Sequence, residues 1–396
     1  MDDERDPSLG PYDALLLVSF GGPEGPADVL PFLRNVTRGR DVPEERLAEV
    51  AAQYERVGGR SPLNRLNREL LARVLAELER RGRPVPGYLG NRNWHPFLAD
   101  TVQEMADAGV RRALAVVTSA FSSYSSCRQY RDDIETACAA VGLGPRSPDV
   151  AVGLGPRSPD VAVGLGPRSP DVAVGLGPRS PDVDIVRPFF NHPGFVAAQR
   201  EVTVAALQRV RAALGEAAER PGAIELAFCA HSIPVSMAER CDYVEQLHDV
   251  ADQVVEGLDQ PVRHHVVYQS RSGPPHVPWL EPDVRDHVDA VAQRGAAAIV
   301  LVPVGFVSDH VEVGFDLDTA AAERAAERGL HCVRAATVGA TTTFVTMVAD
   351  LVEARADGAA PLAVGRFGPR PEPCAEGCCP APVRPPSTDR RAGGQT

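Results

Sequence analysis

The chain has 396 residues, of which 44% are hydrophobic and 24% are charged, and its formal net charge is −12. This length allows a large buried core, and the acidic balance argues against nucleic acid or an anionic membrane as the main partner. No apolar run approaches the roughly 20 residues of a membrane span, and the acidic start MDDERDPSLG lacks the pattern of a signal peptide, so we expect a cytoplasmic protein.

The first half of the chain alternates short apolar strands with helices. Residues 1–12 are predicted to be a flexible tail, and the apolar run ALLLVSF at 14–20 is predicted to be a buried strand. The strand ends in the sequence GGP, which indicates a tight turn, because neither a G-x-G-x-x-G motif nor a phosphate-loop lysine is present there. Further strand patterns near 88–90 and 113–117 complete a predicted N-terminal α/β lobe over residues 13–139.

Two segments of this lobe are rich in hydrogen-bond donors. GGRSPLNRLN at 58–67 contains Ser61, and TSAFSSYSSCRQYRDD at 118–133 contains Tyr130 among serines and arginines. Such side chains can hold anionic groups at the start of a helix. Each segment also has the composition of an ordinary helix-capping loop, so the spacing alone leaves both interpretations open.

A repeat separates the two halves of the chain. The sequence AVGLGPRSPDV occurs four times without change in residues 140–183, at a period of eleven residues. Each copy contains Gly and Pro breakers and few apolar residues, which does not fit a solenoid repeat. We expect a flexible, exposed loop that carries no chemistry of its own.

The second half repeats the alternation of strands and helices, which predicts a C-terminal α/β lobe over residues 184–356. The strand pattern at 225–229 leads to His231, followed by a predicted helix over 237–258. A histidine at the end of a core strand suits a metal ligand or a base, and equally a buried structural histidine.

The stretch IVLVPVGFVSDHVEVGFDLD at 299–318 is the most informative part of this lobe. It begins as a buried strand, and Ser308 or Asp309 is predicted to cap a following helix, on which Glu312 and Asp316 would share a face. A solvated acidic helix face has the same spacing. Four imidazole or acidic side chains follow the strand within nine residues: His310, Glu312, Asp316 and Asp318.

These patterns predict an α/β fold of two doubly wound parallel-sheet lobes with a central cleft where their strand ends meet. We expect His231 and Glu312 to face each other across that cleft. An imidazole opposite carboxylates can bind a divalent metal, move protons, or activate Ser232. The absence of G-x-S-x-G and H-E-x-x-H motifs argues against a serine hydrolase and a zinc protease. A site that both holds a metal ion and accepts protons fits a reaction in which a metal ion is inserted into a ligand that loses N–H protons.

Five segments together resemble the ferrochelatases: LLLVSFGGPEGP, GGRSPLNRLN, AFCAHSIP, QSRSGPPHVPWL and VPVGFVSDHVEVGFDLD. The resemblance covers about residues 13–356, apart from the repeat. It implies that His231 and Glu312 bind iron and remove pyrrole protons, with His310 and Asp316 as accessory polar groups. It also implies porphyrin contacts, which we assign to Ser61, Tyr130, Arg38, Tyr54 and Trp279.

The acidic chain, without an apolar lip around Ser61, resembles the branch of the family that metallates coproporphyrin III to coproheme in haem biosynthesis. The alternatives are a protoporphyrin IX ferrochelatase, a cobalt or nickel chelatase, and a tetrapyrrole- or metal-binding protein without turnover. The expected partners are porphyrin and ferrous iron, with other haem-pathway enzymes as candidates.

Three of the eight cysteines lie close together in the predicted tail, residues 357–396. Cys374, Cys378 and Cys379 supply three thiolates, which with a fourth from the body of the protein suit a [2Fe–2S] cluster or a zinc ion. Some ferrochelatases carry such a cluster, so the resemblance favours iron–sulfur. Cys127 is the predicted fourth ligand and Cys138 the alternative, and an unligated tail is the third interpretation.

Overall fold

The computed structural model describes residues 9–39, 42–141, 179–273 and 276–381. Its strands form two four-stranded sheets, in which every neighbouring pair is parallel. The strands are β1 Ala14–Ser19, β2 Gly87–Asn91, β3 Arg112–Val117, β4 Asp182–Ile185, β5 Ile224–His231, β6 Arg263–Gln269, β7 Ala298–Val302 and β8 His331–Arg334. The predicted α/β fold of two parallel-sheet lobes is confirmed.

Helices connect the strands and cover both faces of each sheet. Two π-helical segments, Tyr124–Arg128 and Gly314–Ala321, are continuous with α-helices. The α-helices are α1 Val29–Val36, α2 Glu44–Arg56, α3 Leu63–Arg80, α4 Leu98–Asp107, α5 Gln129–Ala139, α6 Pro193–Leu214, α7 Val235–Ala238, α8 Tyr243–Glu256, α9 Val284–Gln293, α10 Val311–Val313, α11 Ala322–Glu327 and α12 Thr342–Asp357.

The two sheets have the same strand order, β2-β1-β3-β4 and β6-β5-β7-β8. In each sheet the chain leaves a central strand on one side and later returns to its other side. The connections therefore diverge between β1 and β3, and again between β5 and β7. In open α/β sheets this point of divergence leaves a crevice beyond the carboxyl ends of the strands, where ligands bind. The fold therefore provides two such crevices, one in each sheet.

Both faces of the central strands are buried, so β1, β3, β5 and β7 are apolar over most of their length, and their polar residues lie near the strand ends. Leu15 and Leu17 of β1 point into the largest core cluster, whereas Leu16 and Val18 point to the opposite face, under α4 and α5. The largest cluster also contains Leu226 of β5 and much of α6 and α12. One hydrophobic core therefore continues from the first sheet to the second. This shared core fixes the positions of the carboxyl ends of the two sheets at the cleft.

Leu9 and Tyr12, predicted to belong to a flexible tail, are packed against the body of the protein, whereas Gly10 and Pro11 between them are exposed. Leu9 is fully buried, and Tyr12 is buried with its hydroxyl donating to Asp184 Oδ2 at 2.9 Å. Residues 1–8 of that predicted tail lie outside the described residues, as do residues 142–178 of the repeat. The described part of the C-terminal tail is irregular and docks on the second half, where Asn191 Nδ2 donates to the carbonyls of Phe367 and Gly368.

The predicted helix over 237–258 is wrong in one respect, because it is divided into α7 and α8. The amides of Arg240 and Cys241 close tight turns on Met237 and Ala238, and α8 begins after Asp242. Among the described residues no helix is both long and apolar enough to cross a membrane.

Candidate functional site

A cleft of about 2620 Å³ lies where the carboxyl ends of both sheets meet. Ser19 and Thr118, at the ends of β1 and β3, line one side, and His231 and Gly305, at the ends of β5 and β7, line the other. Small-molecule sites usually have volumes of roughly 300–1,000 Å³. The cleft can therefore admit a ligand that is large compared with most metabolites.

His231 is the last residue of β5, and the strand end fixes its ring. Its Nδ1 lies 2.6 Å from the carbonyl oxygen of Ser232, which assigns the ring proton to Nδ1 and leaves Nε2 as an acceptor. The hydroxyl of Tyr243 donates to the carbonyl of His231 at 3.0 Å and holds the backbone from behind. His231 Nε2 lies 3.6 Å from Oε2 of Glu312. The structure thus brings these two predicted site residues together in the cleft.

Glu312 owes its position to a helix cap that the sequence did not predict. His310 is the cap, with Nδ1 accepting from the amides of Glu312 at 3.1 Å and Val313 at 3.4 Å. The predicted caps are wrong, because Ser308 donates to Asn67 and Asp309 pairs with Arg334. Burial lowers the pKa of His310, which keeps the ring neutral and its Nδ1 free to accept.

Asp316 lies on the π-helical segment that follows, and it is partly buried. It accepts a short hydrogen bond from Ser270 Oγ, and Gln269 Nε2 lies 3.4 Å from both Asp316 Oδ2 and the carbonyl oxygen of Glu312. Burial raises the pKa of Asp316 to about 6, so this carboxyl can exchange a proton near neutral pH. Asp318 is exposed and bound to Arg334. Neither Asp316 nor Asp318 is among the residues that line the cleft.

Ser61 and Tyr130 line the cleft from the first half of the chain. Ser61 is buried at the start of α3, where its Oγ accepts from the amide of Leu63 at 3.3 Å. A Cβ at Gly22 would lie 2.7 Å from Ser61 Oγ, so the GGP turn needs glycine for this close approach. Tyr130 is only 5% exposed, and the guanidinium of Arg92 covers its ring at 4.7 Å.

The remaining predicted wall residues also border the cleft, at different depths. Tyr54 is buried against Phe32, and burial together with the charge of Glu312 raises the pKa of its hydroxyl. Trp279 is half-buried, and its Nε1 has no hydrogen-bond partner within the described ranges. Arg38 is exposed at the rim.

Sequence reasoning missed several side chains that shape this site. Tyr124 lines the cleft from the π-helical turn and is more accessible than Tyr130. Arg92 is buried in an ion pair with Asp133, and Tyr243 and Ser270 support His231 and Asp316. The donor-rich run at 118–133 was a signal for Tyr124. Nothing local marks Tyr243, because its role depends on α8 packing behind β5.

Four cysteines gather outside the cleft, on the far side of the turn that carries Tyr124. Cys127, Cys374 and Cys378 line a small cavity of about 240 Å³ that Arg128 and Arg131 also border. Cys378 Sγ lies 3.6 Å from Cys379 Sγ. A hydrogen bond from the Cys379 thiol, with help from the charge of Arg131, lowers the pKa of Cys127 to about 7.

Cys138, the alternative to Cys127, does not join this group. It lies on α5 against the core cluster on the outer face of the first sheet, and burial raises the pKa of its thiol. No three of the gathered thiols have all their sulfurs within 4.8 Å of one another, as far as the described residues go.

Comparison with known proteins agrees with this geometry. A family model described as Ferrochelatase matches residues 12–152 and 172–356. The coproporphyrin III ferrochelatase of Frankia alni is 50% identical over 393 residues, 97% of this chain and 90% of that protein. The enzyme of the same description from Streptomyces coelicolor is 43% identical over 403 residues, 96% of each chain. A ferrochelatase of Rhodopirellula baltica is 43% identical over 384 residues, 96% of each chain. The chain therefore belongs to the ferrochelatase family, a family of lyases.

Proposed function

We propose that this protein inserts Fe²⁺ into coproporphyrin III and releases coproheme, as a step of haem biosynthesis. The observation that carries the proposal is the pair of His231 Nε2 and Glu312 Oε2, 3.6 Å apart on the wall of a cleft of about 2620 Å³. The Frankia and Streptomyces relatives are coproporphyrin III ferrochelatases, which supports coproporphyrin III as the porphyrin.

His231 accepts the pyrrole protons in this proposal. A porphyrin must lose two N–H protons before its nitrogens can bind a metal ion, so the reaction needs a base above the ring. The bond from Nδ1 to the Ser232 carbonyl leaves the lone pair of Nε2 available, and a base must lie within hydrogen-bond reach of the proton that it removes. Glu312 supplies negative charge beside it, and an imidazole with a carboxylate suits ferrous iron.

Asp316 receives protons from this pair and passes them out of the cleft. Its pKa of about 6 allows it to accept and release a proton near neutral pH. Gln269 lies between the backbone of Glu312 and the carboxyl of Asp316, which keeps the two groups on one side of the π-helical segment.

The first half of the chain holds the edge of the porphyrin. Coproporphyrin III has four propionates, and a carboxylate is bound most strongly by short, charge-assisted hydrogen bonds. Ser61, Tyr124 and Arg38 border the cleft and offer such donors. Tyr130 contributes by packing under Arg92, because little of its own surface reaches the cleft.

The test is an anaerobic incubation of the purified full-length chain with Fe²⁺ and each porphyrin, followed by absorbance. We expect the iron complex to form faster from coproporphyrin III than from protoporphyrin IX, which has only two propionates. Faster turnover of protoporphyrin IX would make the chain a protoporphyrin ferrochelatase instead. Porphyrin binding without metallation of either compound would favour a binding protein, and preference for Co²⁺ or Ni²⁺ a different chelatase.

We also propose that Cys127, Cys374, Cys378 and Cys379 hold a [2Fe–2S] cluster. A single zinc ion with bonds of about 2.3 Å needs four sulfurs roughly 3.8 Å apart. The wider spacing of these thiols suits two irons, each of which needs only a close pair of sulfurs. Arg128 and Arg131 offset the charge of the thiolates. When bound, such a cluster supplies one-electron chemistry and ties the tail to the turn 124–128.

Iron and sulfide content per chain tests the cluster independently of activity. We expect Cys127→Ser to remove the visible cluster absorbance and the iron, and Cys138→Ser to leave both unchanged. Equal loss in both variants, or iron-free protein with one bound zinc, would contradict the ligand set.

A further inference from the structure

A second group of metal-binding side chains lies at the opposite end of the second sheet. Glu225, near the start of β5, His265 of β6 and His287 of α9 each place a ligand atom within 4.8 Å of the other two. Glu225 and His231 are six residues apart on one strand, which at about 3.3 Å per residue separates them by about 20 Å. The group is therefore distinct from the cleft.

The environment of His287 is a second observation that points to a ligand, independent of the distances between the ligand atoms. It is only 5% exposed, and its Nε2 is buried without a hydrogen-bond partner in the described part of the chain. A buried polar atom without a partner destabilises the folded chain, and native proteins rarely leave one without a reason. The ring of His265 lies 4.8 Å away, centre to centre, so two imidazoles face the same space.

Glu225 completes the set with a carboxylate that is almost fully buried. Arg294 donates to both of its oxygens, at 2.9 and 2.6 Å, and Arg263 approaches Oε1 at 3.5 Å. Each carboxylate oxygen can accept two bonds, so Oε2, with one donor, has a lone pair left for a cation. The two arginines limit the affinity of the site because they already neutralise the carboxylate.

We propose that Glu225, His265 and His287 form a second metal site that binds Zn²⁺ or a divalent ion of similar ligand preference. Two imidazoles and one carboxylate, with an open fourth position, are a recurrent zinc ligand set. Bonds of about 2.0–2.2 Å place tetrahedral donors roughly 3.4 Å apart, and ligand atoms within 4.8 Å of one another can reach that spacing by small side-chain movements. His265 is exposed and can move. Burial lowers the pKa of His287 to about 4, so no proton has to leave its ring at neutral pH. The bound ion joins β5, β6 and α9.

The experiment is equilibrium dialysis of the full-length chain against Zn²⁺ alone, with bound zinc counted per chain by metal analysis. The variants are His265→Ala and His287→Leu, which retains a buried side chain of similar volume. His264→Ala is the matched control, because it removes a neighbouring histidine whose Nε2 faces Asp252 at 2.9 Å. Zinc at the cleft and at the cysteines is common to all four proteins.

We expect both site variants to bind one zinc ion fewer per chain and His264→Ala to bind the parental number. Haem formation should be unchanged in all of them, because none of these residues lines the cleft. Equal zinc counts in all four proteins, or an equal loss in His264→Ala, would overturn the site. If His287→Leu fails to fold, the zinc count of His265→Ala decides the question, because His265 is exposed.

Arg294→Gln is a second test, in which zinc affinity should increase rather than decrease. Removing the guanidinium frees the Glu225 carboxylate, so zinc should bind about tenfold more tightly, which corresponds to about 1.4 kcal/mol. Unchanged affinity would exclude Glu225 as a ligand and overturn the three-residue site.

Discussion

The two sheets have the same strand order, yet their carboxyl ends carry different side chains. The first sheet ends in Ser19 and Thr118, with the serines and Tyr124 of the next turn close by. The second ends in His231, with Glu312 delivered from the segment after β7. One topology therefore supplies two adjoining strand edges, and both line the cleft. In our proposal the first binds the edge of the porphyrin and the second moves protons and iron.

His231→Ala tests this division with the largest expected effect. We expect kcat for metal insertion to fall about 10²–10⁴-fold, the usual contribution of a general base, while porphyrin affinity changes little. Stopped-flow absorbance and porphyrin fluorescence measure the two quantities. His264→Ala, on the neighbouring strand, is the control. A parental rate in His231→Ala would contradict the catalytic role and favour a binding protein.

Tyr124→Phe tests the first sheet and should show the opposite kinetic pattern. Loss of a hydrogen bond to a propionate costs about 1.5–3 kcal/mol, so KM for coproporphyrin III should rise about tenfold or more with kcat nearly unchanged. Tyr12→Phe is the control, since its hydroxyl binds Asp184 outside the cleft. A fall in kcat at constant KM would place Tyr124 in the chemical step and contradict the proposed division of roles between the two sheets.

Asp316→Asn tests whether the buried carboxylate of Asp316, near the carboxyl end of the second sheet, lowers the free energy of unfolding. The pKa of Asp316 is about 6 in the folded chain against an ordinary value of 3.8. Between about pH 4 and 6 the folded state therefore holds a proton that the unfolded state has lost, and stability falls as the pH rises through this window.

The asparagine variant mimics the protonated carboxyl, so its free energy of unfolding should exceed the parental value by about 1–3 kcal/mol at pH 7.5 and equal it near pH 4. Urea denaturation at both pH values measures the difference. Asp318→Asn, exposed and ion-paired with Arg334, should lose at most about 1 kcal/mol instead. Destabilisation of Asp316→Asn at pH 7.5 would show that the charged form is favoured.

Tyr243→Phe should have the smallest effect. It removes the hydroxyl that donates to the carbonyl of His231, a bond worth about 0.5–1.5 kcal/mol. As a positioning residue it should lower kcat about two- to tenfold and leave KM unchanged. Tyr268→Phe, on the neighbouring strand, is the control. An equal fall in both variants would indicate a general loss of packing rather than orientation of the histidine.

The chemistry-bearing residues could be predicted because they lie next to strand ends, which are visible in the sequence. Apolar runs located β5 and β7, and parallel strands bring their carboxyl ends to one edge. The meeting of His231 and Glu312 at that edge followed from this rule, but the expectation that they face each other across the cleft is wrong, because they lie side by side, with Nε2 and Oε2 3.6 Å apart. The cap on α10 could not be predicted, since Ser308 and Asp309 are the better intrinsic caps and lost that role to contacts with Asn67 and Arg334.

The amino-acid sequence by itself determined the strand-helix alternation, the two lobes and the resemblance to a family, because hydrophobic period and short motifs are local properties. Only the tertiary structure decided which distant groups meet. It placed Tyr243 behind His231, Ser270 against Asp316, and Cys127 beside a tail about 250 residues further along the chain. Such contacts depend on how helices pack across a shared core, and local patterns carry no information about that packing.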